Sequence, residues 1–310
     1  MQADSALQPG ECLVAQSASW GLGSQLVHLL HTMVHVPADS LYWDFAPSPY
    51  SCCMPGETCE NNGWRRFFAG PEPVNVPSTT LDVGSSSAQR INFTSPHTNE
   101  IVSCKRWWTL ALLPLTRGRY NRTAMCPDML CDALLRLWRP SAELQAVIDY
   151  ELHNLQLYPP PLVVLQVRGG DKVGHEVAPY TLDAGIAYLA ANASNHNGTC
   201  VVLGDDDSLG QNVSALAHAA LGCVVVNRIH PGHAHVQTKF GREAPEVRCQ
   251  RTKQLFVDME LIAHAHGAAV LAVSNTARVG TLLRTCRQGG LHNAVDWQLR
   301  DLLGEACFPN

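Results

Sequence analysis

Near the start of the chain, LVHLLHTMV places Leu26, Leu29, Leu30 and Met33 on one face of a helix. A short apolar run from Cys12 to Ala15 precedes it, with the glycine-containing SWGLGSQ between, so the opening reads as strand, turn and helix. From about Ala46 to Thr98 periodicity disappears. Pro, Gly, Ser and Cys dominate there, and the segment reads as long loops held by disulfides. Helical spacing returns in MLCDALLRLW, stops at Arg139-Pro140, and restarts behind a Ser141 cap through AELQAVIDYELHNL. YPPP then ends it, and this proline cluster is the expected boundary between a unit 1–160 and a unit 161–310.

Beyond the prolines, apolar runs alternate with helical patterns. Strands are predicted at 162–167, 200–204, 223–227 and 268–273, and helices near 181–193, 208–220, 252–266 and from 275 onward. CVVLG, CVVVN and AAVLAV are apolar at nearly every position, as strands of a parallel sheet covered on both faces must be. This half is therefore α/β, a doubly wound Rossmann-like unit.

Composition narrows the setting. With 310 residues and 46% hydrophobic content the chain can build a substantial core, and a net charge of -5 with scattered Lys and Arg excludes a basic nucleic-acid-binding face. Twelve cysteines exceed what a reduced cytosolic enzyme needs. Glycosylation sequons at Asn92, Asn121, Asn192, Asn197 and Asn212 exceed the roughly two expected by chance. Both features point to the secretory lumen or the exterior. No stretch approaches the ~20 apolar residues of a membrane span, and MQADSALQPGE carries no signal-peptide hydrophobic region, so any anchor is expected upstream of this segment.

Ligands of open parallel sheets bind beyond the carboxyl ends of the strands. Three such ends carry unusual residues. VRGGDKVGHE follows the apolar run PLVVLQV; Arg168 there can fork onto a phosphate or carboxylate, and Gly169-Gly170 permit close backbone approach, while the plainer reading is an Arg168–Asp171 salt bridge in a glycine turn. SNTAR, with Ser274, Asn275 and Arg278, opens the last helix and offers either an anion site or a simple N-cap. GDDDS places Asp205, Asp206 and Asp207 at a helix start, as dipole partners or as an Asp-x-Asp metal site. Asp258 shares a helical face with Leu255, Met259 and Ile262, so it should point toward the core and needs a partner, either an internal arginine or N–H donors of a base. The turn around Gly21 and Gly23 is a weak phosphate-cradle signal. HPGHAH, with His230, His233 and His235, reads as chance clustering before metal ligation, given fourteen histidines.

In this order, WGLGSQL, LLRLWRPSAEL, VRGGDKVGHE, VVLGDDDS, the Asp258 helix and SNTAR resemble the core α1,6-fucosyltransferases and the related bacterial chitin-oligosaccharide fucosyltransferases of nodulation. The VRxxDKVGxE arrangement is the specific element. The resemblance implies a GT-B architecture, two Rossmann-like domains with a cleft between them, in which 1–160 forms the acceptor side and 161–310 binds the nucleotide sugar. It implies GDP-fucose as donor, a glycan or glycoprotein acceptor, a Golgi setting, and no metal or other cofactor. Arg168 would bind the β-phosphate and Asp258 would read guanine. Ser274, Gly23 and Ser24 would hold the pyrophosphate from opposite sides of the cleft, with Gly21 and Asn275 in the same donor set. Glu176 and Lys172 match the family's catalytic pair at the acceptor hydroxyl, within the motif that also contains Asp171, and Asp206 and Asp207 match its paired aspartates. Gln166 stands where a guanine-contacting histidine is usual, and Gly169 replaces a second arginine, for which Arg278 is the candidate substitute. Inverting transfer needs a base at the acceptor hydroxyl, the role of Glu176, and a cation on the departing GDP, the role of Arg168. A metal-dependent transferase using Asp205–Asp207 and a non-catalytic sugar-nucleotide or glycan binder are the alternatives.

Overall fold

A computed structural model describes residues 12–16, 21–35, 40–45, 48–52, 63–70, 72–73, 90–94, 101–108, 127–169, 182–229, 236–270, 274–288 and 296–297. The first sheet gathers β1 (Leu13–Gln16), β2 (Leu41–Asp44), β3 (Glu72–Pro73), β4 (Arg90–Thr94) and β5 (Ile101–Trp108) in the order β3-β2-β1-β5-β4. Its pairs are parallel except β4 with β5. Helix α1 (Leu22–His35) follows β1 and buries Leu22, Leu26, Leu29, Leu30 and Met33, the face its spacing predicts.

Helices α2 (Pro127–Leu137) and α3 (Ala142–Gln156) lead to the prolines; Ser141 caps α3 by accepting the Leu144 N–H at 3.2 Å. The second sheet takes β6 (Leu162–Val167), β7 (Thr199–Gly204), β8 (Val224–Asn227), β9 (Gly267–Ala269) and β10 (Asp296–Trp297) in the order β10-β9-β6-β7-β8, every pair parallel. Between these strands run α4 (Asp183–Ala190), α5 (Asp207–Leu221), α6 (Gln237–Phe240), α7 (Pro245–His264) and α8 (Asn275–Arg287). Helix α5 ends at Gly222, whose φ of 64° is the left-handed conformation that a glycine adopts without a Cβ penalty.

Alternate residues of β6 and β7 enter two apolar clusters. Val163, Leu165, Val167, Cys200 and Val202 pack with Ile186 and Leu189 of α4 and Val213 and Ala217 of α5. Val164, Val201 and Leu203 face the other way, into a larger core built with α7 and α8. That core continues into the first half. Phe256 of α7 makes ring contacts with Trp64, Phe67, Phe68 and Trp138. Inside it, Glu260 of α7 accepts hydrogen bonds from the Trp138 indole and from both terminal nitrogens of Arg287, and pairs with His264 at 3.3 Å.

Among the described residues four disulfides form. Cys12–Cys104 joins β1 to β5 and Cys200–Cys223 joins β7 to the approach to β8, while Cys52–Cys249 and Cys131–Cys286 link segments before the prolines to α7 and α8. The expectation of long loops held by disulfides over 46–98 holds for Cys52, tied to Cys249, and for the turns of 63–70, but needs correction for burial and for two strands. Residues 63–70 place Trp64, Phe67 and Phe68 at the centre of the core, and β3 and β4 fall in the same stretch. The aromatic payload of WRRFF outweighs its lack of regular periodicity. Strands β2, β5 and β10 were not anticipated, and α7 begins at Pro245, well before 252, because a proline at the first helical position starts a helix readily.

Candidate active site

The candidate residues assemble at the carboxyl end of the second sheet, on the side of α7 and α8. Side chains alternate along a strand, so Gln166 and Arg168 continue the Val164 face of β6, Asp205 continues the Leu203 face of β7, and Arg228 continues the Val226 face of β8. Register fixes their level. Gln166 pairs opposite Leu203, and Val202 opposite Asn227, which sets Arg228 in the same row; Arg168 and Asp205 lie one pleat farther out.

Arg168 forms an ion pair with Asp205, whose Oδ1 also accepts the Gly169 N–H at 2.7 Å. One carboxylate thus grips two consecutive residues and aims the guanidinium; Asp171, the partner anticipated in the plain reading, lies outside the described residues, as do Lys172 and Glu176. Gly169 sits against Asp206. A Cβ there would overlap the Asp206 side chain, so the missing second arginine is accompanied by an aspartate occupying its space. Asp206 caps α5 by accepting the Leu209 N–H at 2.9 Å, and Asp207 accepts from the Gln211 amide at 3.1 Å. The three aspartates therefore serve three different partners. Among the described residues no group of three or more His, Cys, Asp or Glu is placed to hold a metal, and His230, His233 and His235 lie outside them.

Strand β9, beside β6, leads into α8. Ser274 caps that helix, accepting weakly from the Ala277 N–H at 3.4 Å. Asn275 donates through Nδ2 to the Ser24 hydroxyl of α1 at 2.7 Å, and Arg278 donates to Asn275 Oδ1 at 3.2 Å. The start of α1 therefore touches the start of α8. Gly23 is what permits this, because a Cβ on it would overlap the backbone of Asn275 and Thr276, whereas the space around Gly21 is open. Neither helix has an acidic residue in its first turn, so two positive dipole ends meet with Arg278 beside them. Gly23 stands against the backbone of Asn275 and Thr276 across this junction, which leaves an anion the side of it and not the space between.

Asp258 is half-buried on α7. Its Oδ1 accepts from the Gln254 amide at 2.9 Å, the hydrogen bond the described residues offer it. Burial pushes its pKa up to about 6, against the opposing pull of Gln254 and Arg228, with Glu151 of α3 adding to the rise. The internal arginine does not take it outright: Arg228 lies within electrostatic range but spends Nη1 on Glu151, at 2.7 Å. Gln166, 7% exposed, donates to the Val167 carbonyl at 3.2 Å and leaves Oε1 buried without a donor among the described residues. Such unspent capacity is costly in a finished core and ordinary in a binding site.

No family model and no curated protein sequence matches the chain. Solved structures do. NodZ alpha-1,6-fucosyltransferase co-crystallised with GDP is similar in fold at a TM-score of 0.50 and 14% identity, over 89% of this chain and 93% of that one. Its fold is similar to that of NodZ. FUT1 of Arabidopsis thaliana in complex with GDP gives a TM-score of 0.48 at 13% identity, covering 90% of this chain and 70% of that one. POFUT1 in complex with GDP gives 0.48 at 9% identity, covering 93% and 98%. At these identities the likeness to NodZ is one of fold.

On that NodZ-like scaffold, Arg228 and Glu151 join the site from outside the motifs above, and Asp205 serves as the partner of Arg168 and Gly169 in place of a dipole or metal role. Arg228 had a usable signal, since it follows the apolar run CVVVN as Arg168 follows LQV, and both are arginines leaving a strand of the parallel sheet, β8 at its edge and β6 at its centre. Nothing in the sequence ties Glu151 to it across 77 residues.

Proposed function

We propose that this chain is an inverting fucosyltransferase that moves fucose from GDP-fucose to a glycan hydroxyl, in an α1,6-type linkage. The observation that carries the reading is the placement of Arg168, aimed by Asp205, at the end of β6, with the joined starts of α1 and α8 following the neighbouring β9, on a NodZ-like fold. In this reading the two sheets belong to the two Rossmann-like domains of a GT-B enzyme, divided near the prolines at 159–161. The first serves the acceptor and the second the donor. Arg168 meets the β-phosphate. Ser24, Ser274, Asn275 and Arg278 line the pyrophosphate beside the α1–α8 junction, Gly21 gives it room, and Asp258 takes the N–H groups of guanine.

Chemistry is assigned to the motif that follows Arg168. Glu176 removes the proton of the acceptor hydroxyl as its oxygen attacks the anomeric carbon, and Lys172 orients that carboxylate or the acceptor, with Asp171 in the same catalytic set. The bond from the anomeric carbon to the β-phosphate oxygen breaks with inversion, and Arg168 stabilises the charge gathering on GDP. No resident metal is invoked, since Asp205, Asp206 and Asp207 are each engaged within the protein. Asp206 and Asp207 shape the loop as structural residues. Disulfides and the sequons at Asn197 and Asn212, both exposed, support a secretory, Golgi-type compartment.

The test is Glu176→Gln. Transfer from GDP-fucose is expected to fall by about 10²- to 10⁴-fold while GDP binding by calorimetry is retained; undiminished transfer would remove Glu176 from the role of base. A second reading, a non-catalytic nucleotide-sugar binder, is favoured by the pairing of Arg168 with Asp205 and the loss of charge at Gly169. GDP affinity without turnover over a broad acceptor panel would select it.

A further inference from the structure

Arg228 is 83% buried by its side chain, which is only 17% exposed, and it is held at one end. Nη1 is fixed by Glu151, while Nε is buried without an acceptor among the described residues. It emerges from β8 on the face that carries Gln166 and Arg168, in the row of Gln166, and Asp258 feels its charge. A buried guanidinium N–H with no acceptor costs free energy that a bound ligand recovers. Asp258 lies within its electrostatic range, with one oxygen not engaged by Gln254. The two side chains together present a carboxylate that accepts and a guanidinium that donates. A 6-oxopurine edge offers the complement, N–H donors next to a carbonyl oxygen, whereas adenine turns an amino group and a bare ring nitrogen toward the same two groups.

We propose that Arg228, positioned by Glu151, reads the 6-oxo group of the donor base and so selects 6-oxopurines over adenine at this site. The inference rests on the reading of the sheet edge as a nucleotide site and adds a residue and a selectivity to it. Arg228 touches the base and not the reacting atoms, so it acts on donor choice and affinity. Glu151 acts through Arg228, by holding the fork in place.

The experiment is calorimetric titration of the full chain with GDP, IDP and ADP, for wild type, Arg228→Met and Asp258→Asn. IDP lacks the 2-amino group of GDP but keeps the 6-oxo group; ADP lacks both. In Arg228→Met the preference for IDP over ADP is expected to fall about tenfold, with the preference for GDP over IDP unchanged. In Asp258→Asn the preference for GDP over IDP is expected to collapse. Should Arg228→Met fail to fold, Arg228→Lys keeps the charge opposite Glu151 but loses the forked donors, and the same drop in the ratio of IDP to ADP is expected. Unchanged ratios with uniformly weaker binding would overturn the proposal and leave Arg228 as a strut between β8 and α3. Wild-type protein that binds none of the three nucleotides would overturn the nucleotide reading itself, a separate result.

Discussion

Asp258 and Glu260 stand two residues apart on α7, and their environments push them in opposite directions. Glu260, 1% exposed, is drawn down to about 2: burial raises it, but His264, both ends of the Arg287 fork and the Trp138 indole together outweigh that cost. Asp258 has the Gln254 amide and a share of the Arg228 charge, which burial outweighs, lifting it to about 6. The number of donors decides the sign. A fully satisfied carboxylate is a fastener, here tying α7 to Trp138 at the end of α2 and to Arg287 of α8; a half-satisfied one has capacity left for something that is not protein.

Removing the fastener should have the largest effect. Glu260→Gln strips charge from a buried pair and leaves Arg287 uncompensated, so unfolding free energy should drop by about 3–5 kcal/mol in denaturant titration. An unchanged midpoint would break the comparison. The pH dependence follows with its sign. Glu260, depressed from 4.5, contributes stability above about pH 4.5 that is lost as pH falls toward 2, whereas Asp258, raised from 3.8, contributes below about pH 4 and loses that contribution as pH rises through 6.

Asp258→Asn should do the reverse. It is expected to leave stability equal or up to roughly 2 kcal/mol higher at pH 8, and to weaken GDP binding by about 10- to 100-fold. Wild-type affinity should be flat above about pH 7 and fall about tenfold per unit well below pH 6, and the variant should lose that slope. Stability lost along with affinity would place Asp258 among the fasteners. The smallest change comes from Gln254→Leu. Without that amide the midpoint in the binding profile should move upward by about one unit, with affinity at pH 8 little altered; a midpoint that stays put would mean the amide is not what holds Asp258 down.

Much of this arrangement is legible along the chain, and the limit of legibility is specific. Leu26, Leu29, Leu30 and Met33 announce α1, Ser141 and the prolines bound α3, and the doubly apolar strands announce a parallel sheet, because each depends on spacing within a few residues. WRRFF does not, since Trp64, Phe67 and Phe68 owe their burial to Phe256 and Trp138, far along the sequence. Within the site, Arg168, Ser274, Asn275 and Asp258 were found at strand ends and helix faces. Gly23 was read as a phosphate turn, yet its smallness is spent on the backbone of α8.

By itself the sequence determined the residue types at each strand end and the helices that carry them, since backbone periodicity and capping are local physics. The tertiary structure alone decided which of those groups were spent. Asp205 is consumed by Arg168 and Gly169, Glu260 by Arg287 and Trp138, while Gln166, Arg228 and Asp258 keep hydrogen bonds in hand. A carboxylate or guanidinium is the same letter in either state, and only the donors and acceptors brought within about 3 Å by folding separate a structural ion pair from a binding site.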